Sequence, residues 1–270
     1  MTTSLLNIEW YTRWGIISTI IILRYLLIAG IFFLVFYVVR KKYWTHRRIQ
    51  KRLPKNQQYW QEIKYSLSTM AIFSLIGLVI ITFKAYTQVY QNVGDYGWGY
   101  LLLSFPLTLI IHDAYFYWTH RLMHHRKLYR IVHRTHHLSH NPSPWAAFAF
   151  HPLEAIVEAG IFPLLVFTLP LHPIVIFSFL LTMMVLNVIG HLGYEIYPKN
   201  WTKHWFGKWQ NTSTHHNMHH ELVQGNYGLY FNWWDRWMGT NHTKYLERFD
   251  EVKAREKEIK IKVTEELISG

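Results

Sequence analysis

The sequence predicts an all-α integral membrane protein: a four-helix bundle that carries a cytosolic, histidine-rich helical cap with a site for two metal ions. Long apolar segments alternate with short polar loops, which is typical of membrane bundles. Half of the 270 residues are hydrophobic and 17% are aromatic, and such rings collect where a protein meets lipid headgroups. Three histidine clusters beside the apolar segments supply more imidazoles than one ion can hold.

Three segments are long enough to cross a bilayer, which takes about 20 residues. We predict spans at 15–39, 65–90 and 98–118. The loop at 40–55 is rich in Lys and Arg and contains no acidic residue. By the positive-inside rule this loop is cytoplasmic. The net charge of +12 is explained largely by this loop, so nucleic acid is not an expected partner.

The last membrane element is predicted as a helical hairpin. Its arms are the apolar runs 147–168 and 174–190, and the prolines in 169–173 reverse the chain between them. Pro163 should kink the first arm, so a re-entrant arm is an alternative. With the 40–55 loop inside, the turn at His172 lies outside and all three histidine clusters lie on the cytoplasmic side.

The histidine clusters have the spacing of metal ligands, because residues three or four apart share one face of a helix. Their members are His120, His124 and His125; His133, His136 and His137; and His215, His216, His219 and His220. Imidazole ligands alone leave iron, zinc, copper and nickel open. The Glu-x-x-His pattern of carboxylate di-iron proteins and the His-Glu-x-x-His pattern of zinc proteases are both missing. The chain has no cysteine, which excludes thiolate sites, iron–sulfur clusters and disulfides.

These residues closely resemble the fatty acid hydroxylase / sterol desaturase superfamily, nearest to its C-5 sterol desaturase-like branch. The resemblance covers roughly residues 98–240. It rests on the run from His112 to His125, on the second and third clusters, and on the segment from Asn226 to Thr240. It implies a di-iron, O2-dependent membrane oxidase that hydroxylates or desaturates an unactivated C–H bond of a lipid in lipid biosynthesis. We therefore expect N-terminal transmembrane helices and the basic loop in 1–97, a catalytic domain in 98–246 and a charged tail in 247–270.

The resemblance also implies a ligand set. The expected metal ligands are His120, His124, His125, His133, His136, His137, His191, His216, His219 and His220. Among them, His120, His125, His136 and His219 are expected to be catalytic. His191 follows a long apolar helix, where related enzymes have a further ligand, whereas Asn187 stands where some relatives have another histidine. Glu154, Glu158, Asp113 and Asp235 are candidates to accept the outer N–H of a metal-bound histidine.

The expected cofactors are two iron ions, with O2 as co-substrate and zinc as an alternative metal. Removing hydrogen from an alkyl chain needs a redox-active metal, which zinc is not. The sequence shows neither a haem-binding domain nor a glycine-rich dinucleotide motif. The expected partners are a membrane lipid and a separate electron-donor protein of the cytochrome b5 or ferredoxin type.

Two other function classes remain open: a metal transporter and a zinc-dependent membrane hydrolase. Transporters usually place polar ligands within the spans, whereas these ligands follow the spans on one side. The lipid, and the choice between hydroxylation and desaturation, are left undetermined. The ending Glu-Glu-Leu-Ile-Ser-Gly is not an endoplasmic-reticulum retention signal, so a bacterial inner membrane is favoured as the location of this multi-pass protein.

Overall fold

The fold was analysed in a computed structural model that describes residues 8–255. Over this range the secondary structure is helical, and the extended pairings are two isolated bridges, Arg48–Tyr194 and Gln210–Phe231. The prediction of an all-α protein is confirmed. Most of the tail predicted at 247–270 lies outside the described residues, and its first part, up to residue 255, is helical.

The N-terminal half of the chain contains three long helices, and the third of them includes His120 of the first histidine cluster. Helix α1 spans Trp10–Phe33 and continues as a π-helix over Leu34–Val39. Helix α2 spans Asn56–Thr82, and helix α3 spans Gly97–Met123. With the later helix Pro173–Gly190, these make four helices that are long and apolar enough to cross a membrane.

The predicted bounds of the second span, 65–90, were wrong. Helix α2 begins earlier because hydrogen bonds stabilise its polar first turns. The Gln58 side-chain amide donates to the Glu62 carboxyl one turn later and to the backbone carbonyl of the distant residue Asn141. It ends earlier because the backbone after Thr82 forms hydrogen bonds with a later segment of the chain and does not continue the helix. The Gln88 N–H donates to the Val166 carbonyl at 2.8 Å.

The first arm of the hairpin is broken. Residues 152–168 form two short helices, α4 at Pro152–Ala159 and α5 at Ile161–Thr168, and helix α6 follows at Pro173–Gly190. The break falls at Gly160, where an added Cβ atom would lie 2.6 Å from the Tyr115 hydroxyl oxygen of α3. The expected kink is therefore present: Pro163 lies in the first turn of α5 and has no N–H with which to continue the helix from α4. The expected start at residue 147 was wrong, because residues 144–148 form a 3₁₀ helix and the α-helix begins at Pro152.

The two ends of the bundle differ in content. At one end, His172 caps α6 and its Nε2 atom pairs with the Gln91 carbonyl at 3.0 Å, so the hairpin turn lies beside the loop after α2. At the other end, the basic loop pairs with the segment after α6: Ile49 N–H donates to the Gly193 carbonyl at 3.0 Å. This second end also holds all three histidine clusters, as the topology derived from the sequence requires.

Candidate metal centre

Nine buried or half-buried histidines form two adjacent groups. The first group contains His120, His124, His133, His137 and His219, and the second contains His136, His191, His216 and His220. Within each group the ligand nitrogen atoms lie within 4.8 Å of one another. The groups touch, since the ring centroids of His137 and His220 are 5.0 Å apart.

Each group contains histidines from more than one of the three sequence clusters, and the second and third clusters are divided between the two groups. The end of α3 supplies His120 and His124 to the first group, and the residue that follows α6, His191, joins the second. Helix α7, Ser213–Leu222, supplies ligands to both. It begins at Thr212, whose hydroxyl accepts the His215 N–H, and it ends at Val223 in a left-handed conformation with φ 68°.

The spacing of the ring nitrogens suits a bound cation. Nε2–Nε2 distances are 3.0 Å for His120–His133 and 3.0 Å for His191–His216, and the next are 3.2 Å for His133–His137 and 3.3 Å for His136–His191. Nitrogen ligands about 2.1 Å from one ion, in tetrahedral or octahedral positions, lie about 3.0–3.4 Å from one another. The donor sets therefore fit metal ions.

Hydrogen bonds to the outer nitrogen atoms aim the rings at the centre. The Nδ1 atoms of His120, His191, His219 and His220 lie 2.7–2.9 Å from the backbone carbonyls of Tyr227, Asn187, Gly225 and Ser139. A carbonyl only accepts, so in each ring Nδ1 carries the proton and Nε2 keeps a lone pair. The Nε2 atoms of His219 and His220 are buried and have no hydrogen-bond partner among the described residues.

His133 is held in the same way by a carboxylate. Its Nδ1 atom lies 2.7 Å from Oε1 of Glu154, so Glu154 is positioned as expected to accept the outer N–H of a cluster histidine. When Glu154 is ionised and accepts this N–H, the Nε2 lone pairs of His120 and His133 face each other at 3.0 Å. Two lone pairs at this distance repel each other, and a cation between them would remove that repulsion.

The buried rings are neutral in the metal-free protein. Burial lowers the pKa of His191 and of His219 to about 4. Burial also lowers the pKa of His136, His216 and His220 well below the usual value, with help from neighbouring imidazoles. Neutral imidazole is the form that binds metal, so these rings are ready ligands at neutral pH.

The structure brings together all of the predicted ligands except His125. That side chain is exposed, belongs to neither group, and its Nδ1 atom accepts a bond from the Lys127 N–H at 3.4 Å. His215 is buried outside the groups and pairs with Asn241 at 3.2 Å. The Asn187 side chain donates to the Ala147 carbonyl at 2.6 Å, and its backbone carbonyl lies 2.8 Å from Nδ1 of His191.

Two aspartates hold the C-terminal segment against the groups, and neither forms a hydrogen bond with a grouped histidine within the described part of the chain. Asp235 accepts the N–H groups of Tyr227 and Gly228, each at 2.8 Å. Asp113 on α3 accepts the Tyr230 N–H at 2.8 Å and the Trp233 indole N–H at 2.9 Å. The hydrogen bonds expected from these carboxylates to metal-binding histidines are therefore not present among the described residues. Asp235 Oδ2 does lie 3.8 Å from Nε2 of His215 in the third cluster.

Tyr227 is a site residue that the sequence reasoning missed. Its ring lies 5.0 Å from that of His124 and 5.7 Å from that of His120, and its carbonyl accepts from His120. Tyrosine in an aromatic-rich segment gave no specific signal. The glycines at 225 and 228 did mark a turn, and Gly228 has no room for a side chain, since a Cβ would lie 2.4 Å from the Phe231 carbonyl oxygen.

Comparison with known proteins agrees with this architecture. The fatty acid hydroxylase family model matches residues 105–240, about half of the chain. The chain is 32% identical over 198 residues to a Delta(7)-sterol 5(6)-desaturase of Gibberella zeae, which covers 73% of the chain and 59% of that protein. It is 32% identical over 183 residues to lathosterol oxidase of Rattus norvegicus, covering 66% of the chain and 60% of that protein.

The chain spans about three fifths of the length of these relatives. A Delta(7)-sterol 5(6)-desaturase of Aspergillus fumigatus is 31% identical over 206 residues, covering 68% of the chain and 63% of that protein. No solved structure matches the chain. The match to the family model and these relatives show that the chain belongs to the fatty acid hydroxylase family, in its sterol desaturase-like branch.

Proposed function

We propose that the protein is an O2-dependent di-iron oxidase that hydroxylates or desaturates an unactivated C–H bond of a membrane lipid, of the sterol or fatty acyl type. The observation that carries this proposal is the pair of adjacent imidazole groups at one end of a helical bundle with four candidate membrane spans. The relatives are named as sterol desaturases and as a lathosterol oxidase, which favours a sterol among the possible lipids.

Each group would hold one iron ion. Iron supplies the redox chemistry that O2 activation needs, and zinc does not. The chain contributes neutral imidazoles whose outer nitrogens are fixed by Tyr227, Asn187 and Gly225. Because eight of the nine rings are buried, the protein also keeps water away from the reacting centre.

We propose that the centre faces the cytoplasm, because it lies at the same end of the bundle as the basic loop 40–55. The electrons would come from a separate donor protein of the cytochrome b5 or ferredoxin type. His124 is half-buried, whereas the other eight rings of the two groups are buried. Exposed basic side chains follow His124 in the sequence: Arg126, Lys127, Arg130 and Arg134. This surface suits an acidic donor. The bacterial location stays a prediction.

The first test is the metal content of the purified protein, by elemental analysis together with Mössbauer spectroscopy of iron-grown material. We expect two irons per chain and lipid oxidation that requires both O2 and a donor. Two zinc ions that iron cannot replace, with activity in the absence of O2, would indicate a hydrolase. Loosely held metal with ion flux in liposomes would indicate a transporter.

A further inference from the structure

Tyrosine and tryptophan rings lead from the first histidine group to the surface of the protein. The centroid of the Tyr227 ring lies 5.0 Å from that of His124 and 6.4 Å from that of Tyr117 on α3. The Tyr117 ring stacks on the Trp234 ring at 5.9 Å. The Trp234 ring in turn lies 5.5 Å from that of Trp237, which is 62% exposed. We call these four side chains, from Tyr227 to Trp237, the aromatic row.

Other rings that pack against the two histidine groups are phenylalanines. Phe116 lies 4.9 Å from His120 of the first group, and Phe150 lies 5.1 Å from His136 of the second group. Both phenylalanines line a small cavity between the helices, and none of its lining residues in the described part of the chain is a tyrosine or a tryptophan. Phenylalanine is much harder to oxidise than tyrosine or tryptophan. The cavity side of the centre therefore has rings that resist oxidation, whereas the aromatic row has rings that give up an electron readily.

Tyr117 is also connected to a proton acceptor. Its hydroxyl lies 2.9 Å from the Thr240 hydroxyl, which donates to Asp235 at 2.8 Å. Because the Thr240 proton points to the carboxylate, the Tyr117 hydroxyl donates in the first bond. Arg121 donates to the same phenolic oxygen at 3.2 Å. A tyrosine that loses an electron also releases its phenolic proton, so it needs an acceptor within hydrogen-bond reach. The bonds from Tyr117 through Thr240 to Asp235 provide that acceptor.

We propose that the aromatic row reduces the metal centre when O2 reacts there in the absence of a lipid, and so prevents oxidation of the protein itself. The proposal rests on the proposed function for its oxidant, the centre after reaction with O2. The centre gains one electron from Tyr117 through the Tyr227 ring, while the phenolic proton passes to Thr240 and the Thr240 proton passes to Asp235. An electron from Trp234 and the returning proton then restore Tyr117. A one-electron reductant in solution, such as ascorbate, refills the row at its exposed end, so the net change is one electron from the reductant to the centre.

A light-driven experiment tests the aromatic row without iron or O2. The protein is loaded with zinc, which binds imidazoles but has no redox chemistry, and is held in nanodiscs. Because the chain has no native cysteine, His125→Cys can carry a ruthenium photo-oxidant at an exposed position beside the first group. After a flash in the presence of an irreversible electron acceptor, transient absorption and EPR spectroscopy follow the radicals. We expect tryptophan radicals that form by way of the tyrosines and that disappear when ascorbate is added.

Variants of the labelled protein locate the path. Tyr117→Phe keeps the ring but cannot release a phenolic proton, so it should remove most of the tryptophan radical. Tyr129→Phe is the matched control, because the Tyr129 ring also lies 5.5 Å from that of His124 but contacts no tyrosine or tryptophan ring among the described residues. Equal radical yields in Tyr117→Phe and Tyr129→Phe would overturn the proposal.

Thr240→Val decides the matter if Tyr117→Phe fails to fold. It leaves every ring of the aromatic row in place and removes the bonds that connect Tyr117 to Asp235. Radical formation should become slower and should lose its dependence on replacing H2O by D2O, whereas an unchanged rate would overturn the proposal.

The light-driven experiment also separates this proposal from the proposed function. Radicals that pass through Tyr117 in a protein whose native metal is not redox-active would contradict only the proposed function. An active iron oxidase in which the photo-oxidant draws no electron through Tyr117 would contradict only the role of the aromatic row. In iron-loaded protein given O2 without lipid or donor, we expect an organic radical whose EPR spectrum changes when ring-deuterated tyrosine is incorporated, and an unchanged spectrum would overturn the proposal.

Discussion

At the scale of single residues, what distinguishes the histidines is the partner of the outer ring nitrogen. His215 and His219 are both buried on α7, yet His219 donates from Nδ1 to the Gly225 carbonyl at 2.7 Å and turns Nε2 into the first group. His215 instead uses Nε2 to pair with Asn241 at 3.2 Å. For His219 the acceptor fixes the tautomer and the direction of the ring. The Nδ1 atoms of His136 and His137 have no such acceptor among the described residues, so their rings are placed by the backbone and by packing.

His219→Ala should therefore remove the metal of the first group and leave that of the second. In contrast, His125→Ala should retain both metals, because His125 is exposed and outside both groups. Elemental analysis of the purified variants measures this, with the exposed His204→Ala as the control for a histidine distant from the groups in sequence. Loss of metal in His125→Ala would restore the role that the sequence assigned to this residue.

The metal-free protein should lose stability in acid. The pKa of His191 and of His219 is about 4 when folded, against about 6.5 in an unfolded chain. Below pH 6.5 the unfolded chain binds more protons than the folded one, so stability falls as the pH drops from about 6.5 towards 4. The melting temperature of metal-free protein, measured from pH 7.5 to 4.5, should decrease over that window. A constant melting temperature would mean that these rings are not buried.

At the scale of elements, the break between α4 and α5 lets the hairpin arm pack tightly against α3. The Tyr115 hydroxyl donates to the Val157 carbonyl at 2.6 Å, in the last turn before Gly160. As a result, the Tyr115 side chain of α3 lies so close to Gly160 that there is no space for a Cβ atom at this position. The break also places Glu158 at the end of α4, in the wall of a small cavity that is also lined by His112 and Phe116 of α3.

Gly160→Ala should destabilise the protein by about 1–3 kcal/mol, because the new Cβ would lie 2.6 Å from the Tyr115 hydroxyl oxygen. Adding Tyr115→Phe should recover part of this loss, since it removes the clashing oxygen. Gly99→Ala in α3 is the control: no atom lies within 4 Å of its added Cβ, and alanine favours a helix. Thermal unfolding in detergent compares them. Equal melting temperatures for the two alanine variants would contradict the steric explanation.

At the scale of the whole molecule, the fold separates two ends. The hairpin turn meets the loop after α2, where His172 bonds to Gln91, and the basic loop meets the segment after α6 at the histidine end. A small cavity with Phe116 and Phe150 in its walls lies between the helices, and these two rings pack against His120 and His136 of the two groups.

The two ends should react on opposite sides of a membrane. The chain has no native cysteine, so single cysteines can be introduced without background. We expect Lys51→Cys and Lys127→Cys to react with a membrane-impermeant maleimide from one side, and Asp95→Cys from the other. All three positions are exposed. Labelling of Lys127→Cys and Asp95→Cys from the same side would contradict the arrangement of the spans.

The sequence by itself determined the all-α fold, the apolar helices, the family and all nine grouped histidines. It did so because apolar length and histidine spacing are local properties of the chain. Pro163 likewise indicated that the first hairpin arm is interrupted. The bounds of α2 and the close approach of Tyr115 to Gly160 could not be read in this way, since both depend on contacts between distant residues.

Only the tertiary structure decided how the histidines are divided. His136 and His137 are adjacent in sequence but belong to different groups, because they lie in a tight 3₁₀ turn, His136–Leu138, and face different neighbours. The exclusion of His125 and the contact of Tyr227 have the same origin. Each depends on which groups meet in space, and spacing along one segment carries no information about that.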